Sequence, residues 1–181
     1  MAVPFRDSHD DDRLGVAGFL RFVDESPGRA IRGALFLINA RGEPIDFAFT
    51  RVEVPIPFMW RSGEARRQAL KELCVSLFTA CPGEPRLLLA RADEVPALLF
   101  SEDLEVLVPV CRVSDERAAN RVGNEEVEDM ADDVHLFWVA GCPPQGAPAR
   151  SILNSLSERK LLLEPFDRAA RGIDEAFRTS D

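Results

Sequence analysis

The sequence predicts an α/β protein built on a five-stranded mixed sheet flanked by helices. Three observations predict it. Three β-rich runs follow one another over residues 15–54 with only turn signals between them. From residue 62 onward, helical and strand-like patterns alternate, as parallel crossovers require, whereas the earlier runs suit antiparallel neighbours. With 181 residues, 46% of them hydrophobic and 29% charged, the chain can bury one ordinary core and keep a solvated surface.

The first thirteen residues, "MAVPFRDSHDDDR", are polar and acidic and read as a mobile tail. The core reads as residues 14–113. "GVAGFLRFVDE" is the first strand, with Leu20, Phe22 and Asp24 on one face. "SPGR" breaks it. "AIRGALFLIN" is the second strand. It is apolar on both faces, so it belongs inside the sheet with cover on each side. "NARGEP" is a turn, in which Gly42 can take the left-handed conformation. "IDFAFTRVEV" is the third strand, stopped by Pro55 and Pro57.

"SGEARRQALKELCVSLFTACPGEP" has a helical apolar stripe from Ala69 to Cys81. Ser62 suits its N-cap and Glu64 its first turn. "RLLLA" reads as a buried parallel strand, and "DEVPALLFSE" as a short helix capped by Asp93. "LEVLVPVCRV" is the fifth strand, in which Pro109 signals an edge or a bulge. Residues 114–133 carry many acids and read as a solvated linker. Residues 134–181 supply the strand "VHLFWVAG" and two helices, roughly 149–156 and 164–177, packed on the core.

The formal charge is −9. A chain of that sign lacks global attraction to phosphate, so nucleic acid would need a local basic site or a complex. The expected partner is therefore a protein. The four cysteines form no C-x-x-C pair and only two histidines are present, so free thiols are expected rather than zinc. No run approaches the roughly 20 apolar residues of a membrane span, and no leader pattern opens the sequence. The expectation is a cytoplasmic protein without membrane contact. P-loop, dinucleotide and G-x-S-x-G fingerprints do not occur, which disfavours those chemistries.

The order strand–strand–strand–helix–strand–helix–strand, with "FVDESPG" and "RGALFLINARG" as the opening hairpin, resembles the ribonuclease H-like superfamily. That resemblance implies a βββαβαβ core over roughly Gly15 to Val113. Its nucleases place an Asp in the first strand, a Glu early in the first helix and an Asp after the fourth strand. Asp24, Glu64 and Asp93 match those places. Asp133, Asp167 and Asp174 are candidates for a further carboxylate, and the sequence does not choose among them. Such a set implies a catalytic site holding two magnesium or manganese ions that flank a phosphodiester.

Each candidate also has a plainer role. Asp24 suits bracing of the "SPG" turn. Glu64 complements the helix dipole, and Asp93 suits a cap. Arg61, Arg66 and Arg67 can bind phosphate or form a solvated helix face. Phe58, Met59 and Trp60, in the Pro-flanked "PIPFMWR", suit core anchoring or contact with a partner. The leading expectation is a non-catalytic protein-interaction module or complex subunit that needs no cofactor. The alternative is a metal-dependent nuclease using Asp24, Glu64 and Asp93 with Mg or Mn.

Overall fold

Ten residues, Val16–Glu25, form β1. Alternation sends Ala17 and Phe19 to one face and Leu20 and Phe22 to the other, and all four are buried. One helical turn over Ser26–Arg29 reverses the chain. Strand β2 (Ala30–Asn39) then returns antiparallel along the whole of β1, from Glu25↔Ala30 to Val16↔Asn39. Every residue of β2 except Arg32 is buried, as its two apolar faces predict. The turn that follows is closed by Asn39, whose Oδ1 accepts the amides of Arg41 and Glu43 at 3.0 Å each. Gly42 completes it at φ +84°. Strand β3 (Pro44–Glu53) pairs antiparallel with β2 and forms one edge of the sheet.

The structure is a computed structural model that describes residues 13–61, 63–116 and 125–178. Except for Arg13, the expected tail lies outside those residues, as does the expected cap Ser62. Helix α1 (Glu64–Ala80) begins after Gly63, which takes φ +83° and makes no side-chain cap bond. Its stripe of Ala69, Leu70, Leu73, Cys74 and Leu77 packs on Leu20, Phe22, Leu35 and Leu37. Strand β4 (Leu87–Arg91) lies parallel to β1, and β5 (Val110–Ser114) lies parallel to β4.

Three expectations need correction. Asp93 caps no helix. It stands in a turn, and only Leu99–Asp103 coils, as one π-helical turn with Leu98 at its N-cap. The carbonyls of Ala92 and Val95 are taken by the Arg112 guanidinium at 3.2 and 2.9 Å, which holds that segment out of a helix. The fifth strand is shorter than expected: residues 104–109 have no strand partner and the chain bends at Leu107 and Val108, joining the sheet only where the Pro109 carbonyl accepts the Leu88 amide at 3.0 Å. It is also an interior strand, not an edge. Finally, part of the acidic stretch read as linker is structural: Glu126–Asp129 forms strand β6, paired antiparallel with β7 (His135–Trp138), which pairs with β5.

The sheet therefore has seven strands, in the order β3-β2-β1-β4-β5-β7-β6: the five expected, the expected C-terminal strand as β7, and β6, which was not expected. The first five keep the ribonuclease H-like order. Helix α1 covers one face. Helices α2 (Pro148–Glu158) and α3 (Glu164–Arg178) cover the other, where Ile152, Leu153, Leu156 and Phe166 pack on Phe19, Leu87, Leu89 and Trp138. Phe19 meets Phe166 edge-on at 5.1 Å between centroids. Gly172 lets α3 lie close against β3, since a Cβ there would stand 2.6 Å from the Phe47 ring. All four cysteines are free, and three of them are buried. No helix among the described residues is long and apolar enough to cross a membrane.

Candidate functional site

The parallel strands leave a crevice at their C-terminal ends, where chains of this layer type expose functional groups. The β1–β4 ladder stops at Leu20↔Ala90 and the β4–β5 ladder at Arg91↔Val113. The N-terminus of α1 faces the same end. Between them lies a cleft of about 400 Å³, lined by Gly63, Arg66, Arg67, Glu94, Val95 and Arg112 among others. Its chemistry is that of arginines held by acids.

Arg66, in the first turn of α1, donates to the Glu94 carbonyl at 3.0 Å and to the Asp24 carboxylate at 3.3 Å. Arg67 pairs with Asp103 at 2.8 Å. Arg21 pairs with Glu94, whose second oxygen accepts the Phe22 amide at 2.9 Å. Burial lowers the Arg21 pKa and the neighbouring Arg91 charge lowers it further, against Asp93 and Asp167. Arg112 is almost fully buried, forks onto Glu125 at 2.9 and 2.7 Å, and lies 5.7 Å from the Phe137 ring centre. A planar fork matched to a carboxylate suits such a buried position.

The expected carboxylates are placed on three different supports. Asp24, near the end of β1, shares the α1 face with Leu20 and Phe22 and is held by Arg66. Asp93 is bound by Arg91 at 3.0 Å. By strand alternation Arg91 belongs to the opposite face, with Leu87 and Leu89. Burial pushes the Asp93 pKa up, but the Arg91 hydrogen bond and charge outweigh it and leave the pKa lowered. Glu64 turns back to accept the Arg61 amide at 3.3 Å, an N-terminal bracing role. Asp133 sits in the β6–β7 turn at φ +56°. Asp167 and Asp174 lie on α3.

Among the described residues, no three His, Cys, Asp or Glu side chains form a group that could hold a metal ion. The three expected carboxylates are each engaged by a different group: Asp24 by Arg66, Asp93 by Arg91 and Glu64 by the Arg61 amide.

Of the expected phosphate-binding arginines, Arg66 and Arg67 line the cleft, whereas Arg61 stands exposed at its approach. Phe58, Met59 and Trp60 project from the loop before α1. They are 86%, 72% and 41% exposed, and Ile56 beside them is 57% exposed. They do not anchor the core. Sequence reasoning missed Glu94 and Arg112. Arg112 was detectable in principle as a charge at a buried strand position, between Cys111 and Val113.

The architecture is a ribonuclease H-like α/β fold. Among solved structures, it is similar to endonuclease V of Streptomyces avermitilis, at TM-score 0.59 and 13% identity over 92% of this chain and 82% of that one. It is similar also to endonuclease V of Bacillus subtilis, at TM-score 0.54 and 14% identity over 91% and 80%. At that identity the likeness establishes the fold. No family model matches the sequence, and no curated protein sequence matches it significantly.

Proposed function

We propose that this chain is a non-catalytic domain of nuclease-like fold that works as a protein-interaction module. One observation carries the reading: Arg66 bridges Asp24 and the Glu94 carbonyl. That contact engages the first-strand carboxylate which the fold resemblance would assign to a metal ion, and this supports the non-catalytic reading. Fold alone assigns no activity. The loop of Ile56, Phe58, Met59 and Trp60 supplies the contact surface, since neighbouring large apolar side chains left in water mark sites that a partner covers. The acidic balance of the chain favours a protein partner over bare nucleic acid. The free thiols support a reducing, cytoplasmic setting.

The test pairs two measurements. Single-stranded, duplex and hybrid nucleic acids are incubated with the full chain and Mg²⁺ or Mn²⁺, and no turnover above that of Asp24→Ala is expected. Affinity capture with the wild-type chain and with Phe58→Ser/Trp60→Ser is then compared. A specific partner should be retained only by the wild type.

The second reading is a metal-dependent nuclease. It draws support from the fold shared with the two endonuclease V structures and from the three arginines that line the cleft. Metal-dependent turnover abolished by Asp24→Ala would establish it and overturn the first.

A further inference from the structure

At the opposite end of the sheet lies a larger cavity, of about 1000 Å³. It opens between the C-terminal end of α1, the starts of β1 and β4, the segment before β5 and the start of α2. Val16, Leu35, Phe78, Leu88, Val106 and Val108 give it apolar walls. Its volume is at the top of the range of about 300–1,000 Å³ usual for ligand pockets. Leu107 also lines it and is 92% exposed, which places that side chain at the rim. The charged side chains there are one of each sign, Glu84 and Arg86. A fitting occupant is therefore apolar and close to neutral.

The same chain carries such a group at its other end. The 17 residues of α1 separate the two by about 25 Å, at about 1.5 Å per residue. There Pro57–Met59 forms a single 3-10 turn, in which the Met59 amide donates to the Ile56 carbonyl at 3.2 Å. Ile56, Phe58, Met59 and Trp60 all stand exposed on it. A turn held by its own hydrogen bond has little freedom left to lose on binding. Its flank is neutral as well, with Arg61 against Glu64. The Arg61 side chain makes no ion pair among the described residues, and neither does Glu84 beside the cavity. Knob and hole lie at opposite ends of one molecule, so they can meet only between copies.

We propose that the Phe58–Trp60 loop of one copy seats in the cavity of a second, with Arg61 meeting Glu84. The inference rests on the reading of that loop as a contact surface, and it makes the partner this chain itself. The contact is heterologous: each copy gives one patch and receives with another, so assembly runs on as a row or closes into a ring. One short loop buries a small patch, which places the contact in the weak, transient class.

Sedimentation velocity on the full chain, over a series of concentrations, tests this. It is run in about 0.15 M salt, which screens the repulsion between copies beyond about 8 Å. The wild type should associate as concentration rises. Phe58→Ser/Trp60→Ser, which lacks the knob, should associate about tenfold more weakly or worse, and so should Leu107→Asp, which charges the rim. All three positions are exposed, so both variants keep the fold. An equimolar mixture of the two variants should form a dimer and nothing larger. The intact loop of the Leu107→Asp chain then fills the intact cavity of the other.

A wild type that stays monomeric throughout overturns the proposal. So does either variant if it associates as the wild type does. A mixture that forms no dimer also overturns it, since loop-to-loop pairing gives that result. These failures leave the loop as a contact for a different protein. Metal-dependent turnover that is lost in Asp24→Ala is the separate result that strikes the interaction reading itself.

Discussion

The Arg66 guanidinium lies 3.3 Å from the Asp24 carboxylate and joins the helix over the sheet to the outer end of β1. Both side chains are partly exposed, so the ion pair alone is worth at most about 1 kcal/mol. The added bond to the Glu94 carbonyl fixes the guanidinium and closes the loop after β4 onto α1. Arg66→Ala is therefore expected to lower unfolding stability by about 1 kcal/mol, and Asp24→Asn by about half that. Urea titration with unchanged slope checks both. Arg66→Ala should not gain Mg²⁺-dependent cleavage. Freeing Asp24 leaves Asp93 on Arg91 and Glu64 on the Arg61 amide.

Arg112 and Glu125 form a pair in which both side chains are almost wholly buried. Removing one partner strands a charge in the core. Arg112→Met should cost about 3–5 kcal/mol, because the buried Glu125 carboxylate loses the two-bond Arg112 fork and the carbonyls of Ala92 and Val95 lose their donor. Replacing both, as Arg112→Met/Glu125→Leu, should recover a large part of that loss. Denaturant unfolding of the two singles and the double gives the coupling directly.

The layout of β1 to β5 was legible because each strand there carries its own pattern. Strand β2 is apolar on both faces, β1 alternates, and "NARGEP" encodes its turn. Strand β7 was legible in "VHLFWVAG", but its partner β6 was not, for a physical reason. In β6, the acids of "EVED" look like solvated linker, yet Glu128 is neutralised by Arg150, 22 residues away. Long-range pairing of that kind leaves no local period. The same limit applies to the site. Sequence placed Asp24 in the first strand, Glu64 at the start of the helix and Asp93 after the fourth strand, but which groups engage them and their neighbours (Arg66, Arg91 and Glu94) only the fold reveals.

Burial governs the thiols. It pushes the Cys74 pKa up to about 12 and raises that of Cys111 well above the ordinary thiol value. The thiolate is the reactive form. Cys142, half-buried beside Arg150, is expected to react first with a disulfide reagent at pH 8. Cys74 and Cys111 should react only at the rate of global opening. Time-resolved labelling read by peptide mass checks the order. Addition of urea below the unfolding midpoint should accelerate the two slow thiols and leave Cys142 nearly unchanged.

The bond between β6 and α2 makes stability depend on acid. Arg150 binds Glu128 through both nitrogens at 2.5 and 2.6 Å, and the Trp138 indole donates to the same carboxylate at 3.2 Å. The Arg150 hydrogen bonds, opposed by burial, hold the Glu128 carboxyl below its ordinary value of 4.5. A depressed folded pKa means that the unfolded chain binds the proton first. The stabilisation is thus complete above the ordinary value, and it is lost as pH falls through the lower folded one. The urea midpoint should fall below about pH 4.5 in the wild type. In Glu128→Gln it should be lower at neutral pH, and its fall across this acid range should be shallower. Trp138 reports the event locally: in a Trp60→Phe background it is the sole tryptophan. Its fluorescence should then titrate in the folded wild type and stay flat in Glu128→Gln. An equal acid slope in both proteins would assign the loss to other carboxylates, such as Glu25, whose pKa Arg51 and Arg32 also lower.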